Sequence, residues 1–170
     1  MKTNTRFILL TCLLLCFYAC DRKPYPQSLI VADSLASTQP DSAIALLKTL
    51  KDNIKTESEP TQMYYRLLCI KANDKAYIRH TSDSLILPVL HYYIKQEDEE
   101  HLPEAYYYAG RVYRDLEDAP QALDYFQKAI DVSPKGRYSL KSKIYSQMGT
   151  LFLYQKIYDE ALKMFKKALE

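Results

Sequence analysis

The side chains best suited to chemistry in this chain are its four cysteines, its three histidines and one acidic run. They are Cys12, Cys16, Cys20 and Cys69; His80, His91 and His101; and Glu97-Asp98-Glu99-Glu100, which abuts His101. Each type works only at particular spacings. A zinc site on a helix needs histidines three or four residues apart, or paired cysteines. Here the histidines lie about ten residues apart, and only Cys69 falls beyond the first twenty residues. Ser, Asp and His are present without a nucleophile elbow, and no Gly-rich phosphate loop occurs. The acidic run reads as the solvated end of one helix and the start of the next. These spacings predict no catalytic centre, no metal and no cofactor, and they leave surface recognition as the expected activity.

One cysteine does sit in a chemically meaningful context. Lys2 and Arg6 precede the apolar stretch Phe7 to Ala19, which is too short to span a bilayer as a helix and reads as the core of a secretory signal. It ends Phe17-Tyr18-Ala19-Cys20. A small residue before a cysteine at that place resembles the lipobox of bacterial lipoproteins, with Phe17 where Leu is usual. The resemblance implies a signal peptide over residues 1–19, cleavage before Cys20, and acylation of Cys20. Several acyl chains anchor firmly, at about 0.8 kcal/mol per buried methylene. Residues 20–27, with Pro24 and Pro26, then form a short tether. The location implied is the cell envelope of a Gram-negative bacterium, on the periplasmic or surface face of a membrane. Cys69, left without a partner, reads as a small buried hydrophobe within Leu67-Leu68-Cys69-Ile70.

The chain has 170 residues, 48% hydrophobic and 26% charged, with a formal net charge of +2. That is the composition of a globular protein with one core. Loss of Lys2 and Arg6 with the signal leaves as many basic as acidic side chains, so there is no electrostatic footprint for nucleic acid. Only three glycines occur, with no Trp and sixteen Tyr, which disfavours strand-and-turn architectures.

The elements that must position any binding residues are helices. Tyr106, Ala109, Gly110 and Tyr113 fall at i, i+3, i+4 and i+7, one face of a helix. A second stripe follows at Ala122, Leu123, Phe126, Ala129 and Ile130, stopped by Pro134 and Gly136. The order recurs 39 residues later as Tyr145, Met148, Gly149 and Phe152, then Ala161, Leu162, Phe165, Ala168 and Leu169. Glycine inside a helix costs about 1 kcal/mol relative to Ala. Two glycines at equivalent places therefore predict a close helix approach.

These residues resemble the tetratricopeptide repeats, helix–turn–helix units of about 34 residues with an aromatic, a small pair and a Tyr on the first helix, then Ala, aromatic and Ala on the second. Residues 103–136 and 142–170 carry that pattern, with Tyr106 and Tyr145 where Trp is usual and about five extra residues at 137–141 lengthening the link. Upstream, 28–51 reads as a divergent pair. Its first helix turns Leu29, Ala32 and Leu35 inward, and its second, capped by Thr38 or Asp41, carries Ala43, Ile44, Leu47 and Leu50. Residues 60–95 read as another pair, with Pro88 predicting a kink or a late helix start. The expected fold is all-α: about four antiparallel pairs over 28–170, stacked as a right-handed superhelical solenoid.

The resemblance implies that first helices line a concave face where peptides lie. Residues off the packing stripe are then the candidate contacts: Tyr107, Arg111 and Arg114 in one unit, Lys143, Ser146, Thr150 and Tyr154 in the next. Aromatics and arginines are the side chains that most often anchor interfaces. The asparagine-and-lysine arrangement by which some relatives clamp a C-terminal carboxylate is missing at the matching places. The expected function is non-enzymatic binding of a protein or peptide. The lipoprotein-like start, the Pro40 to Ala43 segment and the repeats also resemble the sensor half of membrane-bound bacterial regulators. A third expectation is an accessory subunit of an envelope assembly.

Overall fold

The computed structural model describes residues 25–170, and the signal segment and Cys20 lie outside the described residues. Among the described residues there are eight α-helices, one short 3-10 turn at Asn53–Thr56, and no strands. In chain order they are α1 (Gln27–Thr38), α2 (Pro40–Leu50), α3 (Glu59–Lys75), α4 (Ile86–Lys95), α5 (Leu102–Asp115), α6 (Ala119–Asp131), α7 (Tyr138–Tyr154) and α8 (Tyr158–Ala168). Each odd helix packs on the even helix that follows it, and odd helices also touch one another along the stack, α1 on α3, α3 on α5 and α5 on α7. The result is a helical repeat array.

Prolines set the helix starts. Pro40, Pro60, Pro103 and Pro120 occupy the first or second position of α2, α3, α5 and α6, where the missing N–H has no intrahelical partner to lose. Pro88 sits third in α4, so that helix begins late rather than kinking. Asp118 caps α6, its carboxylate accepting from the Gln121 N–H at 3.1 Å. The caps expected at Thr38 or Asp41 are not formed. Gln39 holds the N-cap place of α2 without a side-chain bond, and the Thr38 hydroxyl donates back to the Ser34 carbonyl. The five residues at 137–141 do not lengthen a link either: from Tyr138 onward they form the first turn of α7.

The stops follow one rule. After α3, α4, α5 and α7 the chain passes through the left-handed region at Tyr77, Glu97, Glu117 and Lys156, with φ of 58°, 49°, 65° and 62°. Each is followed by a six-residue return bond, such as Ile78 N–H to Asn73 O at 2.9 Å or Ile157 N–H to Phe152 O at 2.9 Å. These are Schellman closures, made here without the glycine that usually fills them.

Two apolar clusters share α3. Its Tyr64, Leu68 and Ala72 join Leu29, Ala32, Ala36, Ala43 and Leu47 of the first pair. Its Met63, Leu67 and Ile70 join the larger core of α4 to α8. Leu35 lies at the edge of the first cluster, and Ala36 is buried in the turn behind it. Cys69 is a free, half-buried thiol, and burial pushes its pKa up, so it is a poor thiolate.

Candidate partner-binding face

The packing stripe is what positions the inner face. On α5, Tyr106 stacks on Tyr125 with ring centroids 6.2 Å apart, and Tyr113 lies 5.2 Å from the same ring while its hydroxyl donates to Asp83 at 2.8 Å. Ala122, Phe126 and Ala129 are fully buried on α6. A β-carbon on Gly110 would stand 2.5 Å from the Phe126 ring, and one on Gly149 would stand 2.7 Å from Phe165. On α7 and α8, Gly149 and Ala161 are buried, whereas Tyr145, Phe152, Phe165 and Ala168 are half-buried. Leu162 and Leu169, read above as part of this stripe, are exposed.

A polar ladder crosses the odd helices. The Lys71 ammonium on α3 donates to Asp33 of α1 at 2.7 Å and to Glu104 of α5 at 2.9 Å. Burial opposes that charge, but the two carboxylates outweigh it and the Lys71 pKa is raised. Tyr64 donates to the other Asp33 oxygen at 3.0 Å. One turn along, Asp74 of α3 accepts from Arg111 Nε at 2.6 Å, and Arg114 lies 3.9 Å away. Arg114 also pairs with Asp115 at 2.6 Å and donates to Gln147 of α7 at 3.0 Å. Every neighbouring pair of odd helices is thus tied by a charged or polar contact.

The ladder changes the reading of the seven candidate contacts. Tyr107 is not on the surface: only 4% exposed, its ring packs against Tyr108 and Phe126. Arg111 and Arg114 are largely spent on Asp74, Asp115 and Gln147. The Thr150 hydroxyl donates back to the Ser146 carbonyl at 2.9 Å. Lys143 and Tyr154 are exposed. The structure gathers six of the seven, all but Thr150, into two neighbouring grooves of about 420 Å³ each. Tyr107, Arg111, Lys143 and Ser146 line one, with Asp74, Lys75, Tyr77 and Gln147. Arg114 and Tyr154 line the other, with Arg79, Asp115 and Leu151. The Arg114–Gln147 hydrogen bond forms the ridge between them.

Sequence reasoning passed over Asp74, Lys75 and Gln147, because each lies on the inner side of a helix only once its neighbours are docked. The acidic run lies between α4 and α5 and is solvated as expected except at Asp98. Asp98 and His101 are buried, whereas Glu97, Glu99 and Glu100 are exposed. The Asp98 carboxylate accepts from the Glu100 and His101 N–H groups and meets His101 Nδ1 at 3.1 Å. The His101 ring stacks on Tyr93 and meets the edges of Tyr25 and Tyr64. A carboxylate that caps the entry to α5 has a structural reason to be inside. Among the described residues no group of three or more His, Cys, Asp or Glu is placed to hold a metal ion. No described helix is long and apolar enough to cross a membrane.

A sequence model of the tetratricopeptide repeat family matches residues 101–170, which span α5 to α8. Neither the curated proteins nor the solved structures contain a match to this chain.

Proposed function

We propose that this chain, whose residues 101–170 match the tetratricopeptide repeat family, is a non-enzymatic scaffold that binds a protein or peptide along its odd helices and is held at a membrane by a lipid on Cys20. Proteins built from these repeats are generally scaffolds for protein interaction. The observation that carries the reading is the pair of adjoining grooves on α3, α5 and α7, fixed by the buried ladder and rimmed by exposed Tyr77 and Tyr154. A surface whose polar groups are already bonded to one another is preorganised, so binding need not order it. The anchor rests on the Ala19-Cys20 junction, and it places the grooves at the envelope, within a short tether of the bilayer.

Two experiments test the halves separately. A photo-crosslinking residue at Tyr154 or Lys143 is expected to capture a partner in envelope membranes, and one at Gln127 on the opposite helix is not. Equal capture at all three, or none at the first two, removes the binding face. Cys20→Ala is expected to abolish fatty-acid labelling and release the protein from the membrane fraction; a labelled or still membrane-bound variant removes the anchor.

A second reading, the ligand-sensing part of a membrane-bound regulator, is favoured by one observation. Leu162 and Leu169 of α8 are 55% and 89% exposed, while their repeat equivalents Leu123 and Ile130 pack into the core. In this second reading they are the surface on which a further helix would lie, as α7 lies on α6. Reading the gene past codon 170 for an apolar stretch of about 20 residues and a basic helical domain decides between the two.

A further inference from the structure

We propose that the groove between Lys75 and Lys143 receives carboxylate side chains of an extended acidic peptide, an inference that rests on the peptide-binding reading above and names its ligand class. Lys75 closes α3, Lys143 lies in the second turn of α7, and Arg111 of α5 forms the floor between them. These three cations face a single carboxylate, Asp74, which is already shared between Arg111 and Arg114. Neither lysine has an ion-pair partner among the described residues. The groove therefore keeps a surplus of positive charge, in a chain whose formal net charge is only +2. Uncompensated like charges facing one another across a groove are unfavourable until an anion enters.

The remaining lining groups are hydrogen-bond donors suited to the same ligand. Ser146 contributes a hydroxyl, and Gln147, whose Oε1 is occupied by Arg114, presents its amide NH2. The Lys75 ammonium is partly desolvated and sits in the field of Lys143, which holds its pKa below the usual lysine range and agrees with this charge arrangement. The site is not isolated. Tyr77 stands at its rim, 94% exposed, and the second groove with Tyr154 and Arg114 continues beyond the Arg114–Gln147 ridge. A chain that crosses the ridge contacts both grooves and both tyrosines, whereas a small free anion fills one groove only. The positive surplus is local and does not extend as a stripe, which favours acidic peptide over nucleic acid.

The test uses the full chain in detergent and three fluorescein-labelled, C-terminally amidated decapeptides: alternating Glu-Ser, Gln-Ser and Lys-Ser. The Glu peptide is expected to bind in an anisotropy titration, to weaken with added salt, and to weaken about tenfold with Lys143→Glu or Lys75→Gln while thermal melts show both variants folded. The other two peptides are expected not to bind. Equal binding of the Gln peptide overturns acidic selection and leaves the peptide-binding reading standing. Binding of the Glu peptide that neither variant weakens places it elsewhere and overturns the proposal. No binding by any of the three overturns the acidic inference, and the crosslinking experiment then judges the peptide reading on its own.

Discussion

Gly110 and Phe126 are in contact so close that no β-carbon fits between them: an added one would lie 2.5 Å from Cδ1 and Cε1 and 2.9 Å from Cγ. Gly149 and Phe165 repeat the pairing 39 residues on, where the nearest ring atoms are Cε1 at 2.7 Å and Cδ1 at 2.8 Å. The second helix of each unit thus presses an aromatic ring onto the bare backbone of the first. This explains why a chain with three glycines spends two of them inside helices.

The two pairs differ in a way that can be measured. Alanine gains about 1 kcal/mol of helix propensity over glycine. At Gly110 the obstruction reaches Cγ, which cannot move without α6, so Gly110→Ala is expected to lose about 1–3 kcal/mol net. At Gly149 the obstruction is the outer ring edge of a half-buried Phe165, and Gly149→Ala is expected to cost less than Gly110→Ala. Urea titrations of both, with Phe126→Leu and Phe165→Leu as cycle partners, check the order. If Gly110→Ala melts at or above the parent, the ring does not hold the position argued here.

The helix stops give a prediction of opposite sign. Lys156 holds φ of 62° with nothing gained from its side chain among the described ion pairs, and a non-glycine residue in that region costs on the order of 1 kcal/mol. Lys156→Gly is expected to stabilise by about 0.5–1 kcal/mol, after allowing for the added freedom of the unfolded chain. Glu117→Gly is expected to gain less, because Glu117 also meets Arg79 at 2.8 Å on the surface. Lys156→Ala is the control: it keeps the β-carbon and is expected to gain nothing.

The ladder predicts a large loss from a single change. Asp74 is 3% exposed at its side chain and serves both Arg111 and Arg114. Asp74→Ala leaves a buried guanidinium without its carboxylate and is expected to destabilise by about 3 kcal/mol, while adding Arg111→Met recovers much of that loss. A denaturant titration in which the double variant is no better than the single one argues against direct pairing.

The periodic stripes made the four helix pairs readable, because apolar spacing at 3.6 residues depends only on which face a helix buries. The Gly–Phe contacts were half readable: the glycines announced a close approach, and the ring that fills it was visible only as a second-helix aromatic. What could not be read is the partition between a residue facing the groove and one facing the next helix. Tyr107 and Tyr154 look alike in one dimension, yet Tyr107 is buried against Tyr108 and Phe126 and Tyr154 is 76% exposed. Arg111 and Arg114 looked free because their partner, Asp74, is 37 and 40 residues away. Asp98 looked solvated because its neighbours are acidic, although its carboxylate turns inward to cap the helix start. Long-range polar pairing is set by stacking of the repeats, which local pattern does not encode.

His80 supplies the pH dependence. It lies in the turn after α3, where its backbone N–H donates to Asp115 at 3.0 Å. Burial lowers its pKa below the model-peptide value; Asp115 and Asp74 oppose that shift, and Arg111 and Arg114 add to it. A depressed histidine favours the folded state while neutral. Its contribution is present in full above the unfolded value, near 6.5, and is lost as the pH falls through the folded one. Melting temperature is therefore expected to decline from neutral pH into the range below about 6.5, with part of that slope belonging to this ring. His80→Asn removes the titrating group and keeps the backbone bond to Asp115. It is expected to flatten the slope between pH 7 and 5 even if it lowers stability at every pH. A variant whose melting curve runs parallel to the parent across that interval assigns the acid sensitivity to other groups.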